Sequence, residues 1–402
     1  MTSRTLQSAD DYLAIAPVKT SARTEPASRL FYIDNVRTFL TVLVLLHHVM
    51  IIYAGSGSWI HSENRQDMLT EVIGNIFCGI NQAFFMGLFF LISAYFVPGA
   101  FDRKGSARFW KDRLARLGIP LIIYSWLIHP LFVYWYLTSA QGLKIPWWDF
   151  YTRQYFSYGT WIGAGPLWFI ETLLIFILVY SVHRRFSPTT PERQPIQNTF
   201  PSNTKLAFFA LFMGGASFII RTSFPVDWNF TPLNLQIPFF AQYIAMFIAG
   251  LLAYKHNWLE TIPKETYDLW RKIALVVMLL YVPGALLGGA LEDVGPFKGG
   301  WHWQSLYYSL WEAFLCLGLC IYVLYWFRRR VNHQERLSAF LSRSAYAAYI
   351  VQAPVITYVA LQASEITFHP LLKFVLVGAI CVALCFLIGG ILRQLPYANK
   401  VL

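Results

Sequence analysis

Ten blocks of about twenty mostly apolar residues punctuate this chain, at residues 33–54, 72–97, 117–138, 166–183, 206–222, 237–254, 273–290, 303–327, 345–362 and 371–392. That length matches a helix crossing the hydrocarbon core of a bilayer. Inside lipid each backbone amide needs a partner in its own segment, so the blocks are read as helices. Only 13% of residues are charged, against about a quarter in an ordinary soluble domain. Too few polar residues remain to surface ten separate apolar cores. The expected fold is all-α: a polytopic membrane helical bundle of about ten transmembrane helices. No internal repeat stands out.

Residues 31–395 are read as one transmembrane domain. Residues 1–30 are polar and lack the apolar run of a cleavable signal peptide, and they are expected to form a flexible cytoplasmic tail. Residues 396–402 are read as a short cytoplasmic C-terminal tail.

The net charge of +11 would suit a nucleic-acid binder, but its distribution argues otherwise. Twenty-five Lys and Arg residues fall in the two tails and in alternate loops, and only Arg65, Lys144, Arg153 and Lys298 lie in the other loops. Such a bias orients membrane proteins with the basic side inward. Both termini are therefore expected in the cytoplasm, in a multi-pass protein of the plasma (inner) membrane. No nucleic-acid partner is expected. The five cysteines all lie in apolar blocks. Cys316 with Cys320 and Cys381 with Cys385 form i,i+4 pairs without the further ligands of a zinc site. They are read as packing residues, and no metal is expected.

The first block, "VRTFLTVLVLLHHV", places an arginine and two histidines in hydrocarbon. Arg37 and His48 are eleven residues apart, which returns to the same helix face about 16 Å deeper. His47 points about 80° away. Asp34 lies three residues before Arg37, within pairing reach. Ionisable groups inside a membrane are costly and usually functional. Snorkelling of Arg37 to headgroups and simple packing of the histidine are the bland alternatives.

"YIDNVRTFLTVLVLLHHV" resembles the opening of the acyltransferase 3 family, whose first helix carries an arginine, ten residues and a histidine. Four later segments fit in order: "FFMGLFFLISAYF", "RFWKDRLARLGIPLI", "GPLWFIETLLIF" and "SRSAYAAYIVQAPV". The first ends "SAY" where "SGF" is usual. The last has Gln352 where a histidine is common. The resemblance covers about residues 30–395. It implies transfer of an acyl group, acetyl or another short one, from cytoplasmic acyl-CoA to a hydroxyl of a carbohydrate or lipid-linked glycan.

On that reading His48 is the general base, since a neutral imidazole can take a hydroxyl proton. A covalent acyl-histidine is the other route. Arg113 and Arg116, with Arg108 and Lys111 beside them, are placed at the CoA phosphates, which arginine forks suit. Arg37, counted with both the catalytic and the donor-binding groups, would guide the pantetheine arm. Topology alone would also make this loop basic. Glu171 is expected to orient His48 or relay protons. Glu312 is the second carboxylate considered, with an internal salt bridge or a protonated packing group as the rival reading for both. Asn81 and Gln82 would line the cavity or bond helix to helix. His129, before a proline, is expected to satisfy a freed carbonyl, with catalysis as the lesser alternative. His61 and His302 are read as interfacial loop residues. The loop "PWWDFYTRQYFSYGTWIGAGPLW" is either an aromatic belt or a platform for a sugar face. The competing class is a proton-coupled secondary transporter of a sugar or lipid-linked glycan, although the paired broken helices of such folds are not evident. A scaffold subunit would not need the Arg37–His48 alignment.

Overall fold

The computed structural model describes residues 30–54, 57–63, 67–158, 163–187, 200–231 and 233–402. The expected tail up to residue 29 and positions 159–162 of the aromatic loop lie outside these described residues. Among the described residues, ten helices are long and apolar enough to cross a membrane: α1 Phe31–Ala54, α2 Met68–Lys104, α3 Ser106–Ala140, α4 Gly165–Phe186, α5 Asn203–Arg221, α6 Ile237–His256, α7 Lys264–Leu287, α8 Trp303–Arg330, α9 Arg336–Gln362 and α10 Pro370–Leu392. Among the described residues, the only extended pairing is an isolated bridge between Phe230 and Leu235. The all-α expectation holds, block for block.

Several helices run past their apolar blocks. The basic stretch after the second block was expected to be a loop. It is instead the end of α2 and the start of α3, joined at Gly105. An apolar window marks only the part of a helix that lies in hydrocarbon. The backbone stays helical beyond it wherever residues such as Arg, Lys and Ala favour the helix.

Residues Phe31–Leu402 form one compact unit. Helices α1, α2, α8 and α9 are its inside, each with at least 61% of its apolar window buried, whereas α7 has 17%. α1 packs against α2, α8, α9 and α10; α2 also packs on α6, and α8 on α5 and α7. Without a hydrophobic drive between helices in lipid, close backbone approach does much of the holding. A Cβ on Gly250 of α6 would sit 2.2 Å from the Leu91 carbonyl oxygen of α2. One on Gly389 of α10 would sit 2.8 Å from the Ala348 nitrogen of α9. Leu45, Val49 and Ile52 of α1 meet Ala348 and Ile356 of α9 and Cys381 and Cys385 of α10 in one buried cluster. All five cysteines are buried free thiols.

Arg221 closes α5 inside the bundle, fully buried, 2.6 Å from the Glu312 carboxylate of α8. It also donates to Ser309 Oγ at 3.1 Å and to the Pro238 carbonyl at 3.3 Å. The rings of Phe239 and Tyr308 flank it at 5.1 and 5.2 Å. A charge this deep persists only when paired and hydrogen-bonded. Glu312 thus sits in an internal ion pair, the rival reading weighed for it.

Candidate functional site

Because α1 is one continuous helix, Arg37 and His48 do share a face. What they meet there comes from elsewhere in the chain. His48 Nδ1 lies 2.9 Å from Oε1 of Gln352 on α9. An amide oxygen only accepts, so Nδ1 carries the proton and Nε2 keeps its lone pair. Nε2 makes no hydrogen bond among the described residues. The indole of Trp59, from the segment between α1 and α2, stacks on the imidazole at 4.5 Å and 28°. Trp59 Nε1 in turn donates to Thr357 Oγ1 at 3.1 Å. His48 is half-buried, whereas His47 is buried beside Phe85 with its Nδ1 sealed and unpaired. Of the two, His48 is the one held through Nδ1 by a neighbouring helix with Nε2 left unpaired among the described residues.

At the other end of this face Arg37 meets Arg113, which in turn has Arg116 as a neighbour. Arg37 pairs with Asp34 at 3.8 Å, as its spacing suggested, and lies over the Phe96 ring at 4.9 Å. Arg113 lies over Phe109 at 5.2 Å, within electrostatic reach of both Arg37 and Arg116. Arg116, Arg108 and Lys111 are exposed, and nearby Asp112 is taken up by Lys104 at 2.5 Å. The α2–α3 hairpin thus brings Arg113 within reach of Arg37, with Arg116 beside Arg113. A like-charge group of this kind suits a polyanion.

Glu171 is buried in the first α-helical turn of α4, just after its 3₁₀ start at Gly165–Leu167. Its Oε2 is sealed without a partner, and it makes no hydrogen bond to His48 among the described residues. The start of α4 docks on α9 within a turn of Gln352: the Tyr349 hydroxyl donates to the Pro166 carbonyl, and Ile170 packs with Ile350. The hydrogen-bond partner of His48 is therefore Gln352, a residue noted in the sequence only as a departure from histidine. Trp59 had no signal in the sequence at all.

The remaining candidates fall elsewhere. At Tyr124–Ile128 α3 is π-helical, with the His129 N–H reaching the Tyr124 carbonyl. The next N–H in that register would serve Ser125, but residue 130 is proline and has none. The Tyr155 hydroxyl donates to the Ser125 carbonyl at 3.0 Å and accepts from His129 Nδ1 at 2.8 Å. His129 therefore supports a freed carbonyl through Tyr155. Gln82 Nε2 donates to the Tyr243 hydroxyl at 3.2 Å, while Asn81 Nδ2 is buried and has no hydrogen-bond partner among the described residues. His302 is exposed before α8. His61 is buried, with Nδ1 3.3 Å from the Tyr136 hydroxyl, and burial holds its pKa below the ordinary histidine value. In the aromatic loop Trp147, Tyr151 and Tyr155 stack in sequence. No group of three His, Cys, Asp or Glu side chains converges among the described residues.

Comparison with known proteins places residues 30–390 on the family profile described as "Acyltransferase domain". Glucans biosynthesis protein C of Salmonella gallinarum is 28% identical over 269 residues, covering 63% of this chain and 67% of that protein. The proteins of the same name from Salmonella paratyphi A and Salmonella agona match to the same extent. No solved structure matches.

Proposed function

The chain belongs to the acyltransferase 3 family, and from that premise we propose a membrane O-acyltransferase that uses acyl-CoA, with His48 as its base. The acyl group is acetyl or another short one, and the acceptor is a hydroxyl of a carbohydrate or lipid-linked glycan. The name of the relatives, glucans biosynthesis protein C, supports a carbohydrate acceptor. The family match favours this reading over the transporter. The charge bias of the loops supports a basic end in the cytoplasm of an inner membrane, with both termini there.

One observation carries the proposal: His48 has Nδ1 held by Gln352 and Nε2 open, on the helix face whose other end is the Arg37–Arg113–Arg116 group. CoA would lay its phosphates on these arginines from the basic end, and its pantetheine arm would run along α1 toward His48. The acceptor would enter from the opposite end. Its hydroxyl gives its proton to His48 Nε2 as its oxygen bonds to the thioester carbonyl carbon. The tetrahedral intermediate then breaks its C–S bond, and the departing thiolate takes the proton from His48. Each turnover leaves the imidazole neutral. Since Gln352 orients the ring, Glu171 is assigned to proton relay from the neighbouring helix rather than to holding His48. A route through an acyl group on Nε2 uses the same nitrogen.

The test is acyl transfer from acetyl-CoA to a glucan by the purified protein. His48→Ala is expected to abolish transfer with insertion and thermal stability retained. Near-normal transfer by that variant removes His48 from the chemistry.

A further inference from the structure

Residues 57–63, between α1 and α2, lie back against α1. The Glu63 amide donates to the Ile52 carbonyl of α1 at 2.9 Å. Gly57 lies against the Ile51 side chain. Between them Trp59 packs against the buried clusters that α1 forms with α9 and α10 and with Cys78 of α2, one face on the His48 imidazole. Two fastenings hold this arrangement. One is the hydrogen bond from the indole N–H to Thr357 on α9. The other is an ion pair between Glu63 and Lys373 of α10 at 2.5 Å, with the two side chains 9% and 2% exposed. Lys373 also donates to the Ser364 carbonyl at 3.4 Å and lies 5.8 Å from the centre of the Tyr53 ring.

Burying two charges gains little stability over burying two apolar groups, and the best-attested use of such a pair is to set register. Glu63 can satisfy Lys373 only with the segment in one register, and that register sets Trp59 on His48. Among the described residues the imidazole has a single hydrogen bond, to Gln352, and one bond leaves the ring free to swing about it. A flat partner against the face removes that freedom. Misplacing a reacting group by about 1 Å can cost about a hundredfold in rate.

We propose that residues 57–63 form a strap that positions the His48 ring, with Trp59 as the positioning residue and the Glu63–Lys373 pair as its anchor. The proposal rests on His48 being the base, as argued above. Trp59 acts through His48 and does not touch the reacting atoms.

The experiment measures kcat and both KM values for purified variants, with acetyl-CoA and a glucan, beside their thermal unfolding. Trp59→Ala is expected to lower kcat at least tenfold with the acetyl-CoA KM within twofold of wild type. Trp59→Phe, which keeps a flat ring, is expected to recover most of that loss. Glu63→Lys and Lys373→Glu are each expected to lower kcat, and the double exchange to restore it. A Trp59→Ala enzyme with kcat within twofold of wild type overturns the proposal. So does a change confined to the acceptor KM, which would make the indole an acceptor surface. If Trp59→Ala does not insert, Thr357→Val frees only the indole N–H; an expected fall of a few-fold in kcat supports the strap, and an unchanged kcat overturns it. His48→Ala separates the two layers: transfer surviving there sinks the base itself, whereas a dead His48→Ala beside a normal Trp59→Ala sinks the strap alone.

Discussion

Gln352→Met isolates the link between fold and chemistry. Methionine nearly matches glutamine in length and volume, and the position is fully buried, so the packing of α9 on α1 is kept. What disappears is the acceptor 2.9 Å from His48 Nδ1. A neutral hydrogen bond is worth about 0.5–1.5 kcal/mol net, and a buried donor left unpaired costs about 1–3 kcal/mol. The ring then gains by moving its proton to Nε2, the atom that the proposed mechanism needs open, or by rotating away. With about 1.4 kcal/mol for each tenfold in rate, kcat should fall about tenfold, while the KM for acetyl-CoA, which the proposed function assigns to the distant arginines, should stay put. The assay is steady-state acyl transfer with each substrate varied in turn, alongside thermal unfolding. Wild-type kcat would refute the reasoning, because the proton on Nδ1 would then not depend on Gln352. An equal loss in stability and rate would show that Gln352 acts only in packing.

Three further outcomes are expected. Arg113→Ala combined with Arg116→Ala should raise the KM for acetyl-CoA tenfold or more with little change in kcat; an unchanged KM would reduce both to topology signals. Arg221→Met should cost about 3–5 kcal/mol by stranding Glu312, and Arg221→Met with Glu312→Leu should regain most of it; thermal unfolding of the singles and the double reads this, and activity of the double shows whether Glu312 is needed. His61 faces Glu63, Lys373 and Tyr136, and its pKa is lowered in the fold chiefly by burial, with Glu63 opposing and Lys373 adding to the shift. The unfolded chain therefore binds the proton more readily, so stability should fall as pH drops through the ordinary histidine value of about 6.5. Thermal unfolding between about pH 8 and 5 should show that slope, and His61→Gln should flatten it.

Hydrocarbon allows few answers, which is why the ten helices were legible along the chain. Length and apolarity mark each crossing, and a wrong assignment would strand unpaired amides in lipid. Where helices left the hydrocarbon, as at Gly105, that constraint lapsed and a helical hairpin passed for a loop. The Asp34–Arg37 contact and the shared face of Arg37 and His48 were equally open to inspection, since both follow from the pitch of one helix.

Neighbours across helices are another matter. In a membrane, apolar helix faces look alike to one another and to lipid, so little in a sequence says which pairs meet. Nothing in the chain's order announced that Gln352, 304 positions away, would hold the His48 ring, that Trp59 would cover it, or that Arg221 would claim Glu312. The amino-acid sequence by itself determined the membrane, the ten crossings and the depth of each ionisable group on its own helix. Only the packed bundle decided their partners, because partners depend on small residues letting particular backbones approach, and that is a property of pairs of helices.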